Sequence, residues 1–258
     1  MPSLLSPLLR PTPPPLTTAS RLLYRHRHPR IKMSTAANST IIEHVVLFNV
    51  NPTTDPTLTT RMLASLNSLA TLPFVLHLTA GPIHRLHAPP PLHFTHVLHS
   101  RYRSVADLDS YSSHPDHLSA VRSHVLPICN DIMALDWKNE NLDRADSGSS
   151  GSAMRVQLVK LKEGVGERER EEVMEVIGGV EGKVEGLSGV SYGVNFTPGR
   201  AKGFGIGCIG FFDGVRELGE GVRSEVVEKE KERVRGYVDG VIVADYVLPE
   251  KKDPSASL

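Results

Sequence analysis

The sequence predicts an α+β fold built from two repeated βαββαβ units whose sheets pair into a barrel-like core. Three observations carry that prediction. From residue 41 onward, apolar runs alternate between strand and helix spacing in the order strand, helix, strand, strand, helix, strand, and residues 155–247 repeat the order. The closing segments match, "IMALDW" against "VIVADY", with Asp136 opposite Asp245, while His44 falls opposite Arg155 at nearly the same offset. Each unit also has one amphipathic sheet and helices for one of its faces. The other face must find a partner, and a tandem chain supplies one internally.

The elements follow in order. "IIEHVVLFNV" is a β-branched apolar run and predicts the first strand. Asp55 as N-cap and Pro56 at the first helical position open a helix over "TDPTLTTRMLASLNSLATL", with Leu58, Met62, Leu66 and Leu69 on one face. "FVLHLTA" and "FTHVLHSRY" are the middle strands, joined by the proline-rich loop "GPIHRLHAPPPLH". A short helix over "SVADLDSY" and a longer one over "HPDHLSAVRSHVLPICND" lead into the closing strand "IMALDW". In the second unit "RVQLVKLK", "VSYGVNF", "GFGIGCIGFF" and "GVIVADYV" read as strands, and "EREREEVMEVIGG" and "RSEVVEKEKERVRGYV" as helices. Gly203, Gly205 and Gly207 leave a strand face flat for another layer. The GxGxxG match at Gly205 lies inside a strand rather than after one, which argues against a dinucleotide loop. The domains are thus placed at 41–138 and 154–248, with a flexible polar linker at 139–153 and a tail at 249–258.

The 258 residues carry no formal net charge, so nothing global argues for nucleic acid or an anionic membrane as partner. No apolar run approaches the about 20 residues of a membrane span. Two cysteines without CxxC spacing, Cys129 and Cys208, fit a reducing compartment. Cys129 reads as packing at an apolar helix end. Both chain ends look like addresses. Residues 1–40 are rich in Ser, Thr, Pro and Arg, hold no acid, and read as a disordered, targeting-like extension with a second start at Met33. The chain closes on Ala256-Ser257-Leu258, a variant of the small–polar–leucine tripeptide read by the peroxisomal import receptor. The expected location is the peroxisome, with that receptor as a partner. A plastid address in the extension, or the cytosol, is the alternative.

All twelve histidines precede residue 125, and the chemistry gathers at "YSSHPDHLSAV", residues 111–121. His114 before Pro115 is a natural N-cap, which places His117 in the first helical turn. The helix dipole there disfavours the imidazolium, and a neutral ring is what a general base requires. Tyr111 stands one helix earlier, placed to orient a substrate oxygen. Strand alternation groups His44, Val46 and Phe48 on one face and Phe94, His96 and Leu98 on another. If both face the helices, His44 and His96 border the same apolar space as Tyr111 and His117. Two other readings compete: a structural helix cap, and a metal site drawing on His93, His96, His99, His114 and His117. Strand spacing sends His96 away from His93 and His99, so no compact set of ligands is implied.

The run "EHVVLF…FTHVLHSRY…YSSHPDH…LPICNDIMALDW" resembles the stress-response A/B barrel (dimeric α+β barrel) family, and the tandem order with the "GRAKGF" turn resembles its two-domain plant members. The resemblance implies tandem ferredoxin-like units pairing their sheets into an α+β barrel, as an intramolecular pseudo-dimer or a homodimer. In relatives that cyclise linear polyketides, the residues matching His117 and Tyr111 are the catalytic base and its helper, and the one matching His44 lines the pocket. That aldol-type chemistry needs no cofactor. Ser112, Ser113, Ser119 and Ala120 are smaller or more polar than in those relatives, which argues against a polyketide. The second unit reads Glu220, Arg223 and Val226 at the matching positions, so a site is expected within residues 41–140 alone.

Three functions follow from this reading. The leading one is a small-molecule-binding or protective stress-associated protein with an apolar pocket in the first domain. It is lined by His44, Val46, Phe48, His96, Leu98 and His114, takes a small apolar ligand, and holds no metal. The second is a cofactor-independent cyclase or lyase using the His117–Tyr111 pair. The third is an assembly module with no ligand.

Overall fold

The computed structural model describes residues 41–139, 152–221 and 225–249. The amino-terminal extension, most of the linker and the Ala256-Ser257-Leu258 ending lie outside the described residues. The first repeat runs β1 (Ile41–Val50), α1 (Pro56–Ser68), β2 (Val75–Pro82), β3 (Arg85–His87), β4 (His96–Tyr102), α2 (Val105–Ser113), α3 (Pro115–Ala120) and β5 (Cys129–Asn139). The second runs β6 (Ala153–Leu161), α4 (Glu167–Gly178), β7 (Leu187–Val194), β8 (Ile206–Phe212), α5 (Val215–Gly221), α6 (Glu225–Val234) and β9 (Val238–Val247).

The local rules explain most of these boundaries. The Asp55 carboxylate accepts the Thr57 backbone N–H at 2.8 Å and Pro56 begins α1. Met62, Leu66 and Leu69 are buried beneath it, but Leu58 is 41% exposed. The long helix expected after His114 is broken up. α3 lasts six residues, a wide π-turn spans Val121–Val125, and Cys129 opens β5 instead of closing a helix. Pro127 offers no N–H to carry the helix on. Burial pushes the Cys129 thiol up to about 11 and Cys208 up to about 12, so both stay protonated.

The strand pairs are antiparallel, in sheets of order β2-β4-β1-β5 and β3-β9-β6-β8-β7. β1 and β6 are the matching central strands, and the period of two sorts their side chains. Ile42, Val46 and Phe48 face the helices and pack on Met62, Leu66, Leu108 and Tyr111. Val45 and Leu47 face the other sheet and share a core with Met133, Leu135, Met154, Val156, Leu158, Ile209 and Ile242. The sheets of the two repeats therefore pack against each other within one chain. The alternation from Phe94 to Leu98 is broken, because β4 begins at His96 and Phe94 turns into the inter-sheet core.

The barrel closes along two seams, one through a segment expected to be a loop and the other through the ends of two expected strands. β3 sits in the proline-rich connector of the first repeat and pairs with β9 of the second, Arg85 opposite Asp245. At the other seam Trp137 bridges to Asn195, and the Phe196 N–H donates to the Asp136 carbonyl at 2.9 Å. A ring lies over a glycine at each. A Cβ on Gly81 would come within 2.7 Å of Tyr246, and one on Gly193 within 2.5 Å of the Lys138 carbonyl and 2.8 Å of Trp137. Of the three glycines expected to form a flat face, Gly207 alone takes a ring, that of Trp137.

A charged cluster lies within the inter-sheet core. Glu43 is fully buried and accepts from His99 Nε2 at 2.6 Å and from Arg101, whose Nη2 lies 3.0 Å away. The Arg101 guanidinium then covers the ring of Phe211 from the other repeat, 4.8 Å from its centroid.

Candidate functional site

The register of β1 against β5 sets His44 opposite Asp136, and the His44 Nδ1–H donates to the Asp136 carboxylate. Both are on the helix-facing side of the sheet. α2 lays Tyr111 over them, buried, with its ring 6.2 Å from His44 and 5.3 Å from Tyr102. His117 in the first turn of α3 packs against Tyr111 with ring centroids 4.5 Å apart. The His117 Nδ1 lies 3.0 Å from the Ser112 carbonyl, which can only accept, so Nδ1 carries the proton. In the neutral ring this leaves Nε2 with its lone pair.

Electrostatics reinforce that state. Burial is the largest influence on His117 and lowers its pKa, outweighing the Ser112 carbonyl; His44, Arg200 and His114 push the same way as burial. Burial is thus a cause of the neutral ring that the sequence does not reveal. Burial alone would raise the Asp136 carboxyl, but His44, the Thr197 hydroxyl and Arg200 together hold it below its ordinary value. Burial also pushes the Tyr111 and Tyr102 phenols well above their usual range, so both remain hydroxyl donors.

The sequence-derived residues divide accordingly. His44, Tyr111 and His117 form one cluster, and Val46, Phe48 and Leu98 belong to the apolar layer around it. His96 does not join them. It pairs opposite Phe48 while His44 pairs opposite Ser100, four positions along the strand and about 13 Å away at 3.3 Å per residue. Its Nδ1 instead meets the Thr95 hydroxyl at 2.9 Å. His114 caps α3, its Nδ1 accepting from the Asp116 N–H at 3.2 Å, and its ring leans on Phe74. Among the described residues, no three His, Cys, Asp or Glu side chains converge as a metal site would require. A separate recess of about 290 Å³ between α1 and α3 is polar, lined by Ser65, Ser68, Thr71, Asp116 and Ser119 among others.

Sequence reasoning misses three residues of the cluster. Tyr102 stacks beneath Tyr111 and shares a 2.9 Å hydrogen bond with Ser100. Asp136 is legible as an acid on the inner face of an apolar strand, but its match to Asp245 assigns it no role. Thr197 comes from the second repeat, and its hydroxyl donates to the Asp136 carboxylate at 2.5 Å. The hydrogen bonds of the cluster therefore reach beyond residues 41–140.

The fold and this cluster define a tandem α+β barrel protein with an oriented group of rings between the sheet and helices of its first repeat. The family model described as the stress responsive A/B barrel domain matches residues 42–139 and again residues 154–248. A stress-response A/B barrel domain-containing protein of Arabidopsis thaliana is 42% identical over 238 residues, covering 92% of this chain and 89% of its own. A second protein of the same description from that plant is 42% identical over 213 residues, covering 82% of this chain and 98% of its own. Among solved structures, a proposed monooxygenase from Fusobacterium nucleatum is similar in fold, with a TM-score of 0.56 at 12% identity over 82% of this chain and 94% of its own. The chain belongs to the stress-responsive A/B barrel family and carries the domain twice.

Proposed function

We propose that the first domain binds a small, largely apolar molecule carrying a carbonyl or hydroxyl group, within a stress-associated binding or protective protein. One observation carries this reading: His44, Tyr102, Tyr111 and His117 bring four polar rings together under an apolar layer, with His44 and His117 each oriented by its own hydrogen bond. Buried polar groups arranged in this way are costly to maintain as packing alone. A second reading has a specific support of its own. A neutral His117 with Nδ1 tied to Ser112 presents Nε2 as a base beside a phenol that stays protonated, the pair needed to abstract a proton next to a carbonyl and hold the resulting oxyanion.

The test is a ligand screen on the full chain by thermal shift and native mass spectrometry, with His117→Ala and Tyr111→Phe beside the wild type. A compound bound by the wild type and lost in both variants is the expected result, and its turnover without added cofactor would select the enzyme over the binder. Loss of thermal stability in the variants with no ligand found for the wild type would leave the rings as packing. The Ala256-Ser257-Leu258 ending supports a peroxisomal address. A fluorescent fusion bearing the native ending should collect in peroxisomes and disperse when Leu258 is deleted; cytosolic signal from both overturns the address.

A further inference from the structure

The two seams of the barrel are built on the same plan and filled differently. At one, the His84 N–H donates to the Asp245 carbonyl at 2.8 Å, and the Asp245 carboxylate is held by Arg155 of its own sheet and Arg85 of the other repeat, with Nε contacts of 2.7 and 2.8 Å. Two guanidiniums close that carboxylate permanently, because arginine does not deprotonate. At the other, the Phe196 N–H donates to the Asp136 carbonyl, the Asn195 Oδ1 accepts the Asp136 N–H at 3.1 Å, and the carboxylate is held by His44 of its own sheet and Thr197 of the other repeat. His44 replaces Arg155, and Thr197 replaces Arg85. The first seam is an ion-pair closure. The second is a neutral hydroxyl on a carboxylate on a histidine whose ring stands edge-on to Tyr111.

We infer that the second repeat completes the site of the first: Thr197 is a positioning residue that orients His44 through Asp136. The inference rests on the reading of the ring cluster as a small-molecule site. Thr197 lies directly before the 3-10 turn Pro198–Arg200, and its hydroxyl crosses from the second repeat to the Asp136 carboxylate at 2.5 Å.

Nuclear magnetic resonance on the full chain tests this role. The side-chain carboxyl carbon of Asp136 and the ring nitrogens of His44 are followed in the wild type, Thr197→Val, Thr197→Ser and, as a control on the other seam, Arg85→Gln. Both sets of signals should move in Thr197→Val, return in Thr197→Ser and stay in place in Arg85→Gln, although Arg85→Gln also weakens barrel closure. Unchanged Asp136 and His44 signals in Thr197→Val overturn the positioning role whatever binds.

Discussion

Glu43 shows how far a single residue here departs from its usual place. Its carboxylate is fully buried between the sheets, where burial alone would raise its pKa, yet Arg101 and His99 outweigh that effect and hold it at about 2. Burial keeps His99 neutral, so its Nε2–H is a plain donor and Arg101 supplies the compensating charge. A carboxyl depressed below its unfolded value adds stability above that value and loses it as pH falls toward the folded one. The contribution of Glu43 should therefore be intact at neutral pH and vanish between the ordinary 4.5 and about 2. Glu43→Gln should remove the buried carboxylate that accepts from His99 and Arg101 and cost about 3–5 kcal/mol at neutral pH. The variant should also lose the part of the acid destabilisation that falls in that window. Urea unfolding at a series of pH values checks both. A variant as stable as wild type with the same pH profile would remove Glu43 from the account.

At the scale of elements, the seams depend on close approach as much as on hydrogen bonds. Trp137 is fully buried, donates its indole N–H to Ser191 at 3.2 Å, and lies where a side chain on Gly193 would sit. Gly193→Ala should force Trp137 or the β5 backbone aside and cost about 1–3 kcal/mol, the usual penalty for overpacking. A shift in Trp137 fluorescence should accompany the loss, because this is the chain's one tryptophan. Asn67 does comparable work on the edge strand β2. Its amide takes both backbone groups of Ala80 at 2.9 Å each, tying α1 to the sheet. Such contacts explain why elements were legible and their ends were not. The run of β1 and the Asp55-Pro56 start of α1 are local signals. The stop of α3 after Ala120 and the start of β4 at His96 depend on how the chain packs, and alternation carried one strand too far into Phe94.

For the molecule as a whole, the two repeats share their main core, since Val45, Leu135, Met154, Val156 and Ile209 bury one another across the sheets. Among the described residues, each sheet is the cover for that face of the other. Heat unfolding of the full chain should then be a single calorimetric transition with matching calorimetric and van't Hoff enthalpies. Two separated transitions would show that the repeats are stable apart and that the barrel is a loose association. Within that shared core the repeats differ at one matching position: the second holds Arg155 on Asp245, and in the first the ring cluster stands beside Asp136.

The sequence by itself determined the repeat, the order of strands and helices, the inward set of β1 and the candidate pair Tyr111 and His117. Apart from the repeat, which shows in matching segments of the two halves, each of these is written in spacing between near neighbours: a period of two along a strand, a cap and a proline before a helix, a tyrosine six residues before a histidine. The tertiary structure alone decided that β3 crosses to β9, that His96 stands about 13 Å from His44 along the sheet, and that Thr197 holds Asp136. Those facts depend on register between strands and on contacts between residues tens of positions apart. Closing such contacts is a property of the whole packed chain, and no local pattern encodes the partner.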